Sequence, residues 1–121
     1  MQNGVEEKFL KGLEQFNQGH FFEAHETWEE IWLPTAEPER TFLQGIIQVA
    51  AAFHHYSRGN HAGARSLLEA GAKKLGQFPE TYRGIRLDEL RAAVRLWIAE
   101  LAAGSDPGRA KLPRIERAPS S

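Results

Sequence analysis

The chain contains no cysteine, so disulfides, thiolate catalysis and zinc sites built on cysteine are excluded. It also lacks an excess of either charge, because 15 lysine and arginine residues stand against 16 aspartate and glutamate residues. The formal net charge of −1 offers no strong field for nucleic acid or an anionic membrane. Apolar runs fall far short of the ~20 residues that span a bilayer, and the first residues have no apolar signal core. We therefore expect a cytoplasmic protein that binds neither nucleic acid nor membrane.

Hydrophobic residues make up 41% of the 121 residues, which suffices for one hydrophobic core. Sustained alternation of apolar and polar residues is missing, whereas apolar residues recur at helical spacing throughout. The spacing, together with glycine and proline stops, predicts five helices at about residues 4–18, 20–33, 38–58, 60–76 and 88–103, with a loop at 76–86. The third helix has a wide apolar arc and is expected at the centre of the bundle.

The composition changes after the fifth predicted helix. We assign residues 1–104 to a single all-helical domain and residues 105–121 to a C-terminal tail that contains three prolines and several arginines. A solvated or loosely draped tail is expected of such a segment. Alternatively, Leu112, Pro113 and Ile115 dock on the body or on a partner.

A weak internal repeat relates two helix junctions that lie 40 residues apart. The first reads Phe16-x-x-Gly19-His20-x-x-x-Ala24-x-x-x-Trp28, and the second reads Tyr56-x-x-Gly59-Asn60-x-x-x-Ala64-x-x-x-Leu68. In each, an aromatic precedes the turn, a glycine makes it, and a small alanine lets the next helix approach closely. The pattern predicts two similar helical hairpins like those of tetratricopeptide repeats, although the ~34-residue period of a true array is absent.

The second helix concentrates residues that can carry chemistry. His25 and Glu29 are four positions apart and share a helix face, close to the apolar Trp28 and Trp32. A half-buried histidine needs a hydrogen-bonding partner, and Glu29 is the nearest candidate. Such a pair orients a general base, ligates a metal, or is a purely structural His–Glu pair. The helical metal motifs HExxH and Glu-x-x-His do not fit, and no nucleophile triad or phosphate-binding loop is present.

The third helix carries a polar stripe on one face. Its members follow at spacings of 4, 4, 3 and 4, namely Arg40, Gln44, Gln48, Ala51 and His55. The stripe is either the solvent face of an amphipathic helix or one wall of a groove against the second helix. Because a short loop joins the two helices, we expect antiparallel neighbours in which His25 and Glu29 converge with the two glutamines. At a rise of ~1.5 Å per residue, His55 lies roughly 10 Å beyond Gln48, which argues against one metal ion shared by His25 and His55.

Four of the five histidines fall near the junctions expected at one end of the bundle: His20, His54, His55 and His61. Such a group suggests metal binding or pH-sensitive behaviour. Alternatively, His20 and His61 are exposed residues of the cap regions, and His54 packs in the core.

Two segments carry a family resemblance, FNQGHFFEAHETWEEIW at residues 16–32 and FLQGIIQVAAAFHHYSRGNHAGA at residues 42–64. In this order and at this separation they resemble the family known as domain of unknown function 309 (DUF309), over about residues 9–90. The resemblance implies a compact all-α bundle or array of five to six helices and no established reaction. The family's polar positions fall on His25, Glu26, Glu29, Gln44, Gln48 and His55. Asn17 and Asn60 match at the turns, where capping explains them, and His54 stands where the family commonly has an aromatic or apolar residue.

We expect a non-catalytic binding or interaction module whose second and third helices enclose a small polar groove. The residues expected to hold a small polar molecule or a peptide helix are His25, Glu26, Glu29, Gln44, Gln48 and His55, with Trp28 and Trp32 as apolar walls. Glutamine favours binding over catalysis, because it hydrogen-bonds well but is a poor acid, base or metal ligand. One alternative is a metal-binding protein or metal-dependent hydrolase that uses a divalent ion at His25, Glu26 and Glu29, with His55 as a further ligand. Another is a structural subunit that forms a homodimer or binds a protein partner through an uncovered apolar stripe.

Overall fold

The computed structural model describes residues 2–119 and the side chains of residues 4–119, and within them the chain is mostly helical. Five helices follow one another, namely α1 (Gln2–Asn17), α2 (Phe21–Trp32), α3 (Glu39–Ser57), α4 (His61–Leu75) and α5 (Leu87–Ala102). A hairpin of two short strands, β1 (Thr81–Tyr82) and β2 (Ile85–Arg86), separates α4 from α5, and a 3₁₀ turn occupies Arg109–Lys111. The all-α prediction is confirmed. None of the helices between residues 2 and 119 is long and apolar enough to cross a membrane.

The helix boundaries agree with the predicted ones to within two residues. The fifth helix begins one residue earlier than predicted, because α5 begins at Leu87 and Arg86 occupies the cap position. Asp88 lies in the first turn instead, where its carboxylate is 3.3 Å from the Arg86 guanidinium. An acidic residue is also favourable there, because the first turn of a helix carries a partial positive charge.

The two junctions of the internal repeat have the same backbone geometry. Gly19 and Gly59 adopt φ values of 84° and 83°, a left-handed conformation that glycine adopts without strain. The next residues, His20 and Asn60, each donate a backbone N–H to the carbonyl five positions earlier, at 2.8 Å. The alanine four positions further on is fully buried in both junctions. The prediction of two similar hairpins, α1–α2 and α3–α4, is therefore confirmed, and their likeness to tetratricopeptide repeats stays a prediction.

The core surrounds α3, which packs against both α2 and α4 and has ten buried residues. Phe53 of α3 lies in the middle of an aromatic cluster. Its ring centre is 5.5 Å from that of Phe21 and 5.2 Å from that of Trp97. A third ring, Phe16 of α1, meets it edge-on at 6.2 Å, an arrangement that aromatic pairs prefer. Side chains from α1, α2 and α5 therefore meet on one residue of the central helix.

Trp28 packs α2 onto α1. It is fully buried, and its indole N–H donates to the Phe9 carbonyl at 3.1 Å. The ring fills a slot over Gly12, where an added Cβ would stand 2.1 Å from the indole nitrogen. The expectation that Trp28 forms a wall of the groove between the second and third helices is therefore wrong. The ring packs on α1 instead, in the space that Gly12 leaves because it has no side chain.

The segment predicted as a loop contains the hairpin, which anchors a polar network. Arg83 and the glycine after it form the turn, both with positive φ, as a type I′ hairpin turn requires. The Arg83 guanidinium lies 2.8 Å from the Glu39 carboxylate and 2.7 Å from the Glu6 carboxylate, over the ring of Phe9. The Tyr82 hydroxyl donates to Glu39, and burial together with this bond raises the pKa of Tyr82 to about 12. The network joins α1, α3 and the hairpin.

The tail is docked on the body rather than loosely draped. Residues 116–118 run alongside β2, since Arg86 N–H donates to the Glu116 carbonyl and Ala118 N–H donates to the Gly84 carbonyl, both at 2.8 Å. The Ile115 side chain is only 2% exposed and belongs to the core. The structure thus favours the docking alternative, and the domain boundary at residue 104 stays a prediction.

Asn17 holds the tail from the end of α1. Its side-chain amide donates to the Ile115 carbonyl at 3.0 Å and accepts from the Ile115 N–H at 2.7 Å. Capping therefore does not explain Asn17, whereas Asn60 does cap α4, accepting from the Gly63 N–H at 2.9 Å. The two matching asparagines have different structural roles because only Asn17 faces another segment of the chain.

Candidate functional site

A cavity of about 210 Å³ opens between α2 and α3, with α4 closing one side. Its lining combines polar and apolar side chains from the three helices, namely His25, Glu29, Trp32, Gln44, Ile47, Gln48, Ala51 and Leu67. We call it the α2–α3 cavity. It is the place where most of the sequence-predicted site residues come together.

The spacing along each helix explains this convergence. On α2, His25, Glu29 and Trp32 follow at intervals of four and three residues, which keeps them on one face. On α3, Gln44 and Gln48 follow at the same kind of interval, and Ala51 comes one turn later. Because α2 and α3 are antiparallel neighbours, the two faces oppose each other level by level. Their role in binding stays a prediction.

Three buried polar atoms lack a hydrogen-bonding partner among the described residues, and all three belong to side chains that line this cavity. They are His25 Nδ1, Trp32 Nε1 and Gln48 Oε1. The other two indole N–H groups are satisfied, since Trp28 donates to the Phe9 carbonyl and Trp97 donates to the Lys111 carbonyl. Buried polar atoms are almost always paired in proteins, so three unpaired ones around one space require an explanation.

Charge at the cavity is confined to its edge. The His25 Nε2 atom lies 3.7 Å from a Glu29 carboxylate oxygen, and the Glu29 side chain is half exposed. At the other end, the Arg40 guanidinium lies 4.7 Å from the centre of the Trp32 ring, a cation–π contact. Arg40, predicted on the polar stripe, therefore covers Trp32 rather than facing the interior of the cavity.

Two further predicted residues lie outside the α2–α3 cavity. Glu26 is exposed on α2 and does not line the cavity. It follows His25 directly in the helix and therefore points in a different direction. His55 lies further along α3 and lines a neighbouring cavity instead, as its distance from Gln48 along the helix predicts. Ile47 and Leu67 also line the cavity, which the sequence did not predict. The place of these two apolar residues depends on how α4 packs against α3.

The histidines do not form one cluster. His61 stacks on Tyr56 with ring centres 5.1 Å apart, and His20 is exposed at the start of α2. His54 is half-buried, and burial, followed by the positive charge of Arg58, lowers its pKa. Within residues 2–119 no three histidine, aspartate or glutamate side chains come together in a way that could hold a metal ion. Of the residues that the metal-binding hypothesis names as ligands, His25 and Glu29 are the two that lie close together.

The sequence is similar to known proteins whose function is not described. An uncharacterised protein of Aquifex aeolicus (strain VF5) is 30% identical over 93 residues, or 76% of this chain. The uncharacterised protein YpuF of Bacillus subtilis (strain 168) is 41% identical over 49 residues, or 40% of this chain. The match covers 28% of the length of each relative, so most of each relative lies outside it.

A family model supports the resemblance seen in the sequence. It matches residues 9–67, which include α2, α3 and every residue that lines the α2–α3 cavity. The match ends before residue 90, so the hairpin and α5 lie beyond it. Residues 9–67 of this chain therefore match the family described as domain of unknown function 309 (DUF309), which confirms the resemblance.

Proposed function

We propose that the α2–α3 cavity binds a small, uncharged molecule that carries hydrogen-bond donors and acceptors of the amide type. The supporting observation is the set of three unpaired buried polar atoms on side chains that line the cavity. A buried polar atom without a partner costs ~1–3 kcal/mol. Such a cost requires an explanation, and a functional site at which a ligand supplies the missing partner provides one.

The three atoms define what the ligand must offer. The Trp32 indole nitrogen only donates, so the ligand needs an acceptor, and Gln48 Oε1 only accepts, so the ligand needs a donor. His25 Nδ1 does either, depending on its tautomer. A carboxylate has no donor and an ammonium group has no acceptor, whereas an amide has both. Amide-like groups therefore complement the cavity best.

The charge and the size of the cavity further restrict the ligands that fit. The opposite charges of Glu29 and Arg40 at the two ends favour neither an anion nor a cation, and any charged group would lose its hydration on entering. The volume of about 210 Å³ is smaller than the ~300–1,000 Å³ of pockets that hold drug-sized ligands. The ligand is accordingly a neutral molecule smaller than a typical drug.

We expect N-acetylglycinamide, an extended molecule with two amide groups, to bind with a dissociation constant on the order of millimolar, as suits so small a ligand. In ¹⁵N-labelled protein the indole N–H signal of Trp32 shifts and saturates as the diamide is added. The signals of Trp28 and Trp97 stay in place, because their N–H groups are already bonded to carbonyls. Equal shifts of all three signals, or none, would contradict the proposal.

A second prediction concerns stability. Replacing Gln48 by methionine removes an unpaired buried oxygen at nearly constant shape, so we expect the free energy of unfolding to rise by ~1 kcal/mol. The same variant loses most of its affinity for N-acetylglycinamide. The matched control is Gln15→Met, because the Gln15 oxygen accepts from the Thr27 hydroxyl at 2.7 Å and its loss destabilises the protein. Urea unfolding of both variants checks the signs, and a less stable Gln48→Met protein would mean that Gln48 has a structural partner.

The dimer and protein-partner alternatives stay predictions. Three large apolar side chains are exposed in the described part of the chain, namely Phe22, Leu33 and Leu96. Phe22 and Leu33 lie at opposite ends of α2, roughly 16 Å apart along its axis, and Leu96 lies on α5. They do not make one continuous apolar face, so the α2–α3 cavity is the better-supported site.

A further inference from the structure

A second cavity of about 160 Å³ lies next to the first, one turn nearer to the start of α2 and to the end of α3. Its lining residues are Phe22, His25, Ala51, His54 and His55. Four of these five carry flat rings. The Phe22 ring centre is 5.2 Å from that of His54 and 6.2 Å from that of His25, and the two histidines of α3 are 6.0 Å apart. We call this space the ring pocket.

The ring pocket and the α2–α3 cavity share two walls, His25 and Ala51. Ala51 has a small side chain, which suits a ligand that extends from one space into the other. Phe22 is 46% exposed, so part of a large aromatic ring is left uncovered. An aromatic side chain held in this way offers a stacking surface to a flat molecule.

We propose that the ligand of this site is a planar aromatic or heteroaromatic compound whose amide-like group occupies the α2–α3 cavity while its ring stacks in the ring pocket. This inference rests on the proposed function, and it adds the chemical class of the ligand. The unpaired atoms of Trp32 and Gln48 hold the polar group, and the exposed part of the Phe22 ring stacks on the ligand's ring.

The electrostatics of the ring pocket suit an uncharged ring. Burial, then Arg58 and the two neighbouring histidines, lower the pKa of His54, while the Glu23 carboxylate opposes them weakly. The His54 ring is therefore neutral at neutral pH, and a neutral imidazole stacks as an aromatic ring. His55 is engaged at its edge, where its Nδ1 atom lies 3.1 Å from the Asn60 side-chain nitrogen.

Three probes with the same glycinamide group separate the contributions of the two spaces. N-acetylglycinamide has no ring, N-benzoylglycinamide has a flat ring, and N-(cyclohexanecarbonyl)glycinamide has a puckered ring of similar size. We expect the benzoyl compound to bind roughly tenfold more tightly than the acetyl compound, because stacking on an aromatic side chain favours binding. The cyclohexane compound gains much less, because it cannot stack. The Trp32 indole signal and calorimetry report each affinity at pH 7.5.

Phe22→Ala should abolish the gain of the benzoyl compound and leave the affinity of the acetyl compound unchanged, and Phe22→Tyr should restore the gain. Leu96→Ala, at a similarly exposed apolar residue on α5, is the matched control and changes neither affinity. Equal affinities of the flat and puckered rings, or a gain that survives Phe22→Ala, would overturn the inference while the proposed function stands. If none of the three probes moves the Trp32 signal, the proposed function fails and this inference fails with it.

Discussion

Gly12→Ala is expected to lower the free energy of unfolding by roughly 3–5 kcal/mol, the sum of overpacking a core and losing a buried hydrogen bond. The added Cβ would stand 2.1 Å from the Trp28 indole nitrogen and 2.5 Å from its neighbouring ring carbon. Trp28 cannot yield cheaply, because it is fully buried and its N–H is bonded to the Phe9 carbonyl. The variant must therefore separate α1 from α2 or expel the ring.

Urea unfolding followed by circular dichroism measures this effect, with Gly4→Ala as the control on the same helix. Nothing lies within 4 Å of a Cβ at Gly4, so that variant keeps its stability or gains up to ~1 kcal/mol from the better helix former. Adding Trp28→Phe to Gly12→Ala should recover part of the loss, since a smaller ring leaves room for the methyl group. A Gly12→Ala protein as stable as the parent would show that Trp28 does not pack on Gly12.

The helices could be predicted from the sequence because their signals are local. Apolar spacing of 3.6 residues and the stops at Gly19 and Gly59 lie within single segments of the chain. The hairpin at residues 81–86 could not, because strands of two residues are too short to show alternation. Its stability comes from Arg83 and Tyr82 contacting Glu39 more than 40 residues away, which no local pattern encodes.

The candidate site was predictable in part for the same reason. His25, Glu29 and the two glutamines follow from helical spacing and one antiparallel pairing, which requires only a short loop between helices. The orientation of Trp28 does not follow from spacing, because it depends on the absence of a side chain at Gly12 on another helix. The ring pocket could not be predicted either, since it requires Phe22 of α2 to reach across to His54 of α3.

The docked tail leads to the second large effect, which a loosely draped tail would not show. Ile115→Ala is expected to lower the free energy of unfolding by ~2–4 kcal/mol, the usual cost of truncating a buried isoleucine. Ile115 is 2% exposed, and its backbone is held by both ends of the Asn17 amide. The side chain of the neighbouring Glu116 is exposed and its carboxylate pairs with the exposed Arg114, so Glu116→Ala, which keeps the backbone bond to Arg86, should change stability by less than ~0.5 kcal/mol.

Asn17→Ala tests whether α1 fixes the tail through these two bonds. It leaves the Ile115 N–H and carbonyl unpaired, so we expect a loss of ~1–3 kcal/mol and faster tryptic cleavage after Arg114 and Arg117. The double variant with Ile115→Ala should lose less stability than the sum of the losses in the two single variants. The reason is that a released tail has already withdrawn Ile115 from the core. Full additivity, with unchanged trypsin sensitivity of Asn17→Ala, would mean that pairing with β2 alone holds the tail. In that case α1 would contribute no anchor, and the C-terminal segment would be fixed by the hairpin edge through the Glu116 carbonyl and the Ala118 N–H.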